Sequence, residues 1–126
     1  MNRHATRENA LKILFQLDIN DKHPEEAIEE QFESLEVDTY LKSLVEGVAN
    51  YKNTIDEKIA EHMEKWSIDR IASVEKTILR IAVFEISYRE DIPVNVAINE
   101  AVELANSYGD EKSGKFVNGV LSKIIA

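Results

Sequence analysis

Residues 91–126 read DIPVNVAINEAVELANSYGDEKSGKFVNGVLSKIIA. Ile98, Ala101, Val102 and Ala105 fall at i, i+3, i+4 and i+7, the stripe of an amphipathic helix. Phe116, Val117, Val120, Leu121 and Ile124 form a second such face. Between them lies a polar loop, Gly109-Asp110-Glu111-Lys112-Ser113-Gly114-Lys115, which satisfies G-x-x-x-x-G-K. A nucleotide-binding loop of that pattern follows a buried strand and carries Ser or Thr after its Lys to reach magnesium. Here the flanks have helical spacing, and the next residue is Phe116. Asp110 and Glu111 would also repel phosphate from inside the cradle. The segment is therefore a helix–helix connection, with Gly109 as the stop and Ser113 as the cap of the last helix.

The same reading extends upstream. Pro93 ends the preceding region, because the residue before proline disfavours helix, and Asn95 can cap the next helix. Val74 to Tyr88 is the most apolar helix, with Val74, Ile78, Leu79, Ile81, Ala82, Val83, Phe84 and Ile86 on more than one face, and is expected at the centre. Thr54-Ile55-Asp56-Glu57 has capping-box spacing, and Ile55, Ile59 and Met63 continue its stripe. Trp66 to Ile71 reads as a connection with a short helical turn. Val37, Tyr40, Leu41, Leu44, Val45 and Val48 mark another helix, and Pro24 starts one carrying Ile28, Phe32 and Leu35. Asn2 or Thr6 caps the first helix, built on Ala10, Leu11, Leu14, Phe15 and Leu17. With four Gly, two Pro and no clean period-2 run, the expected fold is all-α. Six or seven helices with short connections form a compact bundle, one domain over residues 1–126.

Composition narrows the function classes. There is no cysteine, which removes disulfides and cysteine metal sites and fits a cytoplasmic protein. No apolar run approaches transmembrane length. The net charge is −9, against indiscriminate nucleic-acid binding. It is unevenly spread: residues 20–39 hold eight acids and one base, a local −7, leaving only −2 for the rest. The first twelve residues carry Arg3, Arg7 and Lys12 against Glu8. A local basic footprint on an acidic protein is thus allowed.

No catalytic set stands out. His4, His23 and His62 are scattered without metal-ligand spacing, and Glu85, Glu90, Glu100 and Glu103 read as solvated faces. Asn99 and Asn118 interrupt apolar runs and read as buried amides tying helices together, with Gly119 allowing close helix packing. Arg3 and Arg7, four apart, share a helix face bordered by His4. They suit phosphate contacts, or form an ordinary solvated terminus. Lys112, Ser113, Lys115 and Phe116 combine cations, a hydroxyl and an aromatic at a helix start, a second candidate for meeting phosphate and an unstacked base. Against this stand a core Phe116 and solvated lysines.

Four blocks in order along the chain resemble the NusB family of transcription antitermination factors. They are R-x-x-x-R-E-x-A (Arg3, Arg7, Glu8, Ala10), V-E-K-x-I-L-R-I-A-x-x-E (Val74 to Glu85), I-P-x-x-V-A-I-N-E-A-V-E-L-A (Ile92 to Ala105) and K-F-V-N-G-V-L (Lys115 to Leu121). The resemblance implies two small helical subdomains, no enzyme activity and no cofactor or metal. It implies binding of the boxA element of nascent RNA together with NusE, the small-subunit ribosomal protein, in support of ribosomal RNA transcription. Other Nus factors and RNA polymerase would be indirect partners. It further implies an RNA face of Arg3, His4, Arg7, Met63, Asp69, Lys112, Ser113, Lys115 and Phe116, and a partner face of Phe15, Ile19 and Glu75. Similar helical domains form the N-terminal part of certain ribosomal RNA cytosine methyltransferases, so a stand-alone RNA-targeting module is the alternative. A protein-only helical adaptor is a third reading.

Overall fold

The computed structural model describes residues 2–20, 26, 39–63 and 68–126, without the side chains of Asn20 and Asp69. The expected helix after Pro24 and most of the acidic stretch lie outside the described residues. Within them are six α-helices and no strand. They are α1 (Arg3–Asn20), α2 (Thr39–Asn50), α3 (Lys52–Glu61), α4 (Ser73–Tyr88), α5 (Val94–Tyr108) and α6 (Glu111–Ile125), with a 3-10 turn at Ile68–Arg70 before α4.

The most apolar segment is the axis of the fold. Every residue from Thr77 to Glu85 on α4 is buried, so this helix has no solvent face along its middle. It packs against all five other helices. α1 and α2 pair on it as one group, and α5 and α6 pair on it as another, with α3 touching both α4 and α6. This is the two-part arrangement expected. Ile13, Leu41, Leu44, Ile55, Ile59, Ile78, Leu79, Leu104 and Leu121 join in one contiguous core.

A helix buried all round can hold charge only if that charge is paired. α4 holds two. Arg80 donates to both oxygens of Asp56, at 2.8 and 2.9 Å, and to Asp18 at 3.3 Å. Glu85, expected on a solvated face, is buried and accepts a two-pronged bond from Arg7 at 2.9 and 2.8 Å, and a third bond from Tyr40 Oη. Among the described residues no buried side-chain polar atom lacks a partner.

The helix ends correct several expectations. Asn2, not Thr6, caps α1: its side chain accepts from the Ala5 N–H at 2.8 Å, while the buried Thr6 hydroxyl donates back to the Asn2 carbonyl at 3.0 Å. α3 begins two residues before Thr54, so no capping box forms. The chain turns at Tyr51 alone, whose N–H still bonds Gly47 and whose carbonyl already accepts from Ile55. Asn95 does not cap α5, because the Pro93 carbonyl already takes the N–H groups of Val96 and Ala97. Gly109 does end α5, without a left-handed turn, its φ being −121°. Asp110, rather than Ser113, caps α6, accepting from the Ser113 N–H at 2.9 Å. Asn99 and Asn118 are exposed and are not helix ties. The close approach of α5 and α6 falls at Gly114, where a Cβ would lie 1.9 Å from Asn106 Oδ1, and a Cβ on Gly119 would meet nothing within 4 Å.

Candidate nucleic-acid interface

The start of α6 carries the most accessible candidates. Lys112 and Lys115 are exposed, and Lys115 is only loosely paired with Glu111 at 3.5 Å. The bare N–H groups that make a helix start attractive to phosphate are not available here. The Asp110 carboxylate occupies them, and its bond to the Ser113 N–H, aided by Lys112, holds it below the usual carboxylate range. Phosphate would therefore meet the lysine side chains and not a backbone cradle, which also disposes of the nucleotide-loop pattern. Ser113 is half-buried beside the cap.

Phe116 lies one turn into α6 and is half-buried against the core. Its ring helps wall a cavity of about 240 Å³ together with Met63, Ile71 and Ala72, with Arg70 and Glu75 also on its lining. The structure thus brings Met63 and Phe116 together on one cavity. Asp69 belongs to the adjoining 3-10 turn, and its side chain is not described.

The N-terminal candidates divide. Arg3 is exposed, with its guanidinium 3.6 Å from the centre of the Tyr40 ring, a cation–π contact. His4 is partly exposed and sits between carboxylates, Nδ1 3.1 Å from Glu100 and Nε2 3.2 Å from Glu8. The bond to Glu100 raises its pKa above 6.5. Arg7 goes inside: it is 2% exposed and its fork is taken by Glu85. The shared helix face was read correctly as a spacing, but α1 turns Arg7 into the core and leaves Arg3 at the rim. Arg7 is therefore not among the exposed cations, and what it does for the surface is to hold α1 in place.

The structure also gathers residues that sequence reasoning left scattered. Ligand atoms of His4, Glu100 and Glu103 lie within 4.8 Å of one another. Both His4 nitrogens already face carboxylates, and Arg7 Nη1 stands 3.9 Å from Glu100, so the group reads as an ion-pair cluster. One turn on, Glu8 accepts from Tyr108 Oη at 2.9 Å, which ties the last residue of α5 to α1. Tyr40, Arg70, Ile71 and Glu85 carried no signal of a shared site, because their proximity depends on how α2 and the 3-10 turn pack on α4.

The partner-face candidates lie on neighbouring elements. Ile19, 60% exposed, is the most open large apolar side chain among the described residues, and Phe15 is half-buried one turn before it. Lys76, next to Glu75, bonds Asp18, next to Ile19, at 3.5 Å, so the end of α1 and the first turn of α4 share this corner.

Fold and surface together define a small all-helical protein with a buried Arg–Glu–Tyr lock, a basic and aromatic rim at one helix start, and an exposed apolar corner. It belongs to the NusB family, whose model matches residues 4–126. A transcription antitermination protein NusB from Oceanobacillus iheyensis is 64% identical over 126 residues, covering all of both chains. One from Bacillus subtilis is 49% identical over 98% of this chain and 95% of its own. Among solved structures, T. maritima NusB superposes with a TM-score of 0.87 at 37% identity, covering 98% of this chain and 90% of that one. A crystal structure of antitermination factors NusB and NusE in complex with dsRNA contains a chain that superposes with a TM-score of 0.88 at 34% identity, covering 97% and 94%. No helix among the described residues is long and apolar enough to cross a membrane.

Proposed function

We propose that this chain is a cytoplasmic transcription antitermination factor that binds boxA-type single-stranded RNA jointly with NusE and supports ribosomal RNA transcription. The observation that carries the reading is the start of α6, where exposed Lys112 and Lys115 precede a half-buried Phe116 that walls an open cavity. Cations for the phosphates beside an aromatic wall for a base are what single-stranded RNA requires. Relatives named as antitermination proteins, and the likeness to a NusB–NusE–RNA complex, support it. On this reading Arg3, His4, Met63 and Asp69 complete the RNA face. Phe15, Ile19 and Glu75 receive NusE, other Nus factors and RNA polymerase joining through the complex. The role is binding, not catalysis.

Mixed with NusE, the protein is expected to bind a boxA RNA more tightly than a scrambled RNA of equal length in a salt-controlled titration. Equal affinity for the two would sink the sequence-specific reading.

A further inference from the structure

Tyr40 meets charge at its hydroxyl and on its ring. It is 3% exposed at the start of α2, and its hydroxyl donates to Glu85, the carboxylate that the Arg7 fork holds. Its ring carries two guanidiniums, Arg3 at 3.6 Å from the ring centre and Arg89 at 4.6 Å. The two arginines differ in what else they touch. Arg89 donates to both oxygens of Asp91, at 3.0 and 2.9 Å, and to Ser43 Oγ at 2.7 Å. Among the described residues, Arg3 makes no hydrogen bond or ion pair. A cation in the first turn of a helix faces the positive end of the helix dipole, and a long exposed side chain samples many rotamers. The Tyr40 ring opposes both effects. It attracts the guanidinium through its quadrupole and takes up none of the N–H donors as hydrogen-bond partners. Donating to the Glu85 carboxylate polarises the phenol and strengthens that attraction.

Resting on the RNA reading above, we infer that Tyr40 is a positioning residue of the RNA face, its ring holding the open Arg3 fork for a backbone phosphate of the strand. Arginine grips phosphate through two parallel bonds, so the strength of the pair depends on how the planar fork is oriented. A fork already held on a ring has less freedom to lose when the strand arrives. Arg7 then serves RNA from inside the core. Through Glu85 it fixes the hydroxyl of the ring on which Arg3 rests. Arg3 and Arg7 lie one turn apart on α1, so the same helix supplies the buried anchor and the surface cation.

Affinity for a boxA RNA is measured with NusE present, for Tyr40→Phe and for the chain with pentafluorophenylalanine in place of Tyr40. Each is made with Arg3 and with Arg3→Ala, and helical circular dichroism checks the fold. Fluorination drains the negative ring face at nearly constant shape. With Arg3 present, the fluorinated ring is expected to bind RNA about two- to fivefold more weakly than Tyr40→Phe, the size of one exposed cation–π contact. With Arg3→Ala the two rings should bind RNA alike. Equal loss in both backgrounds would make the effect one of packing and overturn the inference, as would equal affinity of the two rings with Arg3 present. Arg3→Ala binding RNA as tightly as the parent also overturns it, by removing Arg3 from the RNA face. The preference of the parent for boxA over scrambled RNA still decides the antitermination reading in that case. A readout on the unaltered chain stands independent of how the variants fold. The Arg3 side-chain protons should show an upfield ring-current shift by NMR, kept when RNA and NusE are added. Absence of that shift, or its loss when RNA binds, overturns the inference.

Discussion

Arg7 and Glu85 are 78 residues apart in sequence and meet through two parallel bonds of 2.9 and 2.8 Å, at 2% and 1% exposure. Tyr40 Oη bonds the same carboxylate, so three helices close on one acid. Burial and the Glu85 charge together push the Tyr40 hydroxyl far above its ordinary range, keeping it a donor. Burial opposes the charge on Arg7, but the bonds to Glu85 outweigh it and raise its pKa.

Breaking this pair from one side leaves an uncompensated buried charge. Arg7→Ala is expected to lower the unfolding free energy by about 3–5 kcal/mol, and Tyr40→Phe by about 1–3 kcal/mol. Urea titrations of the variants check both. An Arg7→Ala protein of unchanged stability and reduced RNA affinity would instead put Arg7 back on the RNA face.

Much of the fold could be read from apolar spacing. The α4 stripe on several faces announced its central place, and the flanks of the Gly109–Lys115 loop excluded a strand. What could not be read was where single polar residues point. Arg3 and Arg7 look alike in sequence, yet one turn of helix against α2 and α4 separates a rim cation from a core one. Glu85 looked solvated because its partners lie on α1 and α2, far away in sequence. Asn99 and Asn118 looked buried because their neighbours are apolar, yet each falls on the outer edge of its helix. The local contribution of Phe116 was legible; its cavity needed Met63, Ile71 and Ala72 from other elements.

His4 provides a pH test with a definite sign. Its folded pKa is raised, first by the bond to Glu100 and further by the charges of Glu100, Glu8 and Glu103. Its stabilising contribution is therefore complete below the unfolded value of 6.5 and is lost as pH rises through the folded value. An NMR titration of the imidazole should give a pKa above 6.5, and Glu100→Gln should bring it down. A midpoint unmoved by Glu100→Gln would show that the pairing is absent in solution.

Two helix-interior glycines should respond oppositely to alanine. A Cβ at Gly119 meets nothing within 4 Å, so Gly119→Ala should gain up to about 1 kcal/mol from helix propensity. A Cβ at Gly47 would lie 2.3 Å from the buried Phe84 ring, which also stacks on Tyr88. Overpacking there should cost about 1–3 kcal/mol. Thermal melts of the two variants, one above and one below the parent, are the check.

The lysines of α6 make the last prediction, which concerns salt and not affinity alone. Each phosphate neutralised on a single strand contributes about 0.7 to the slope of log K against log salt. Lys112 and Lys115 are exposed, and the Asp110 carboxylate already fills the helix start, so phosphate contact there falls to these side chains. Lys112→Ala and Lys115→Ala should each flatten the slope by about that amount. Lys123 is also exposed but lies eight residues on, about 12 Å along the same helix. Lys123→Ala should therefore leave the slope unchanged while removing the same net charge. Equal flattening by all three would mean that the whole helix acts through its overall field, and that Lys112 and Lys115 make no individual phosphate contacts.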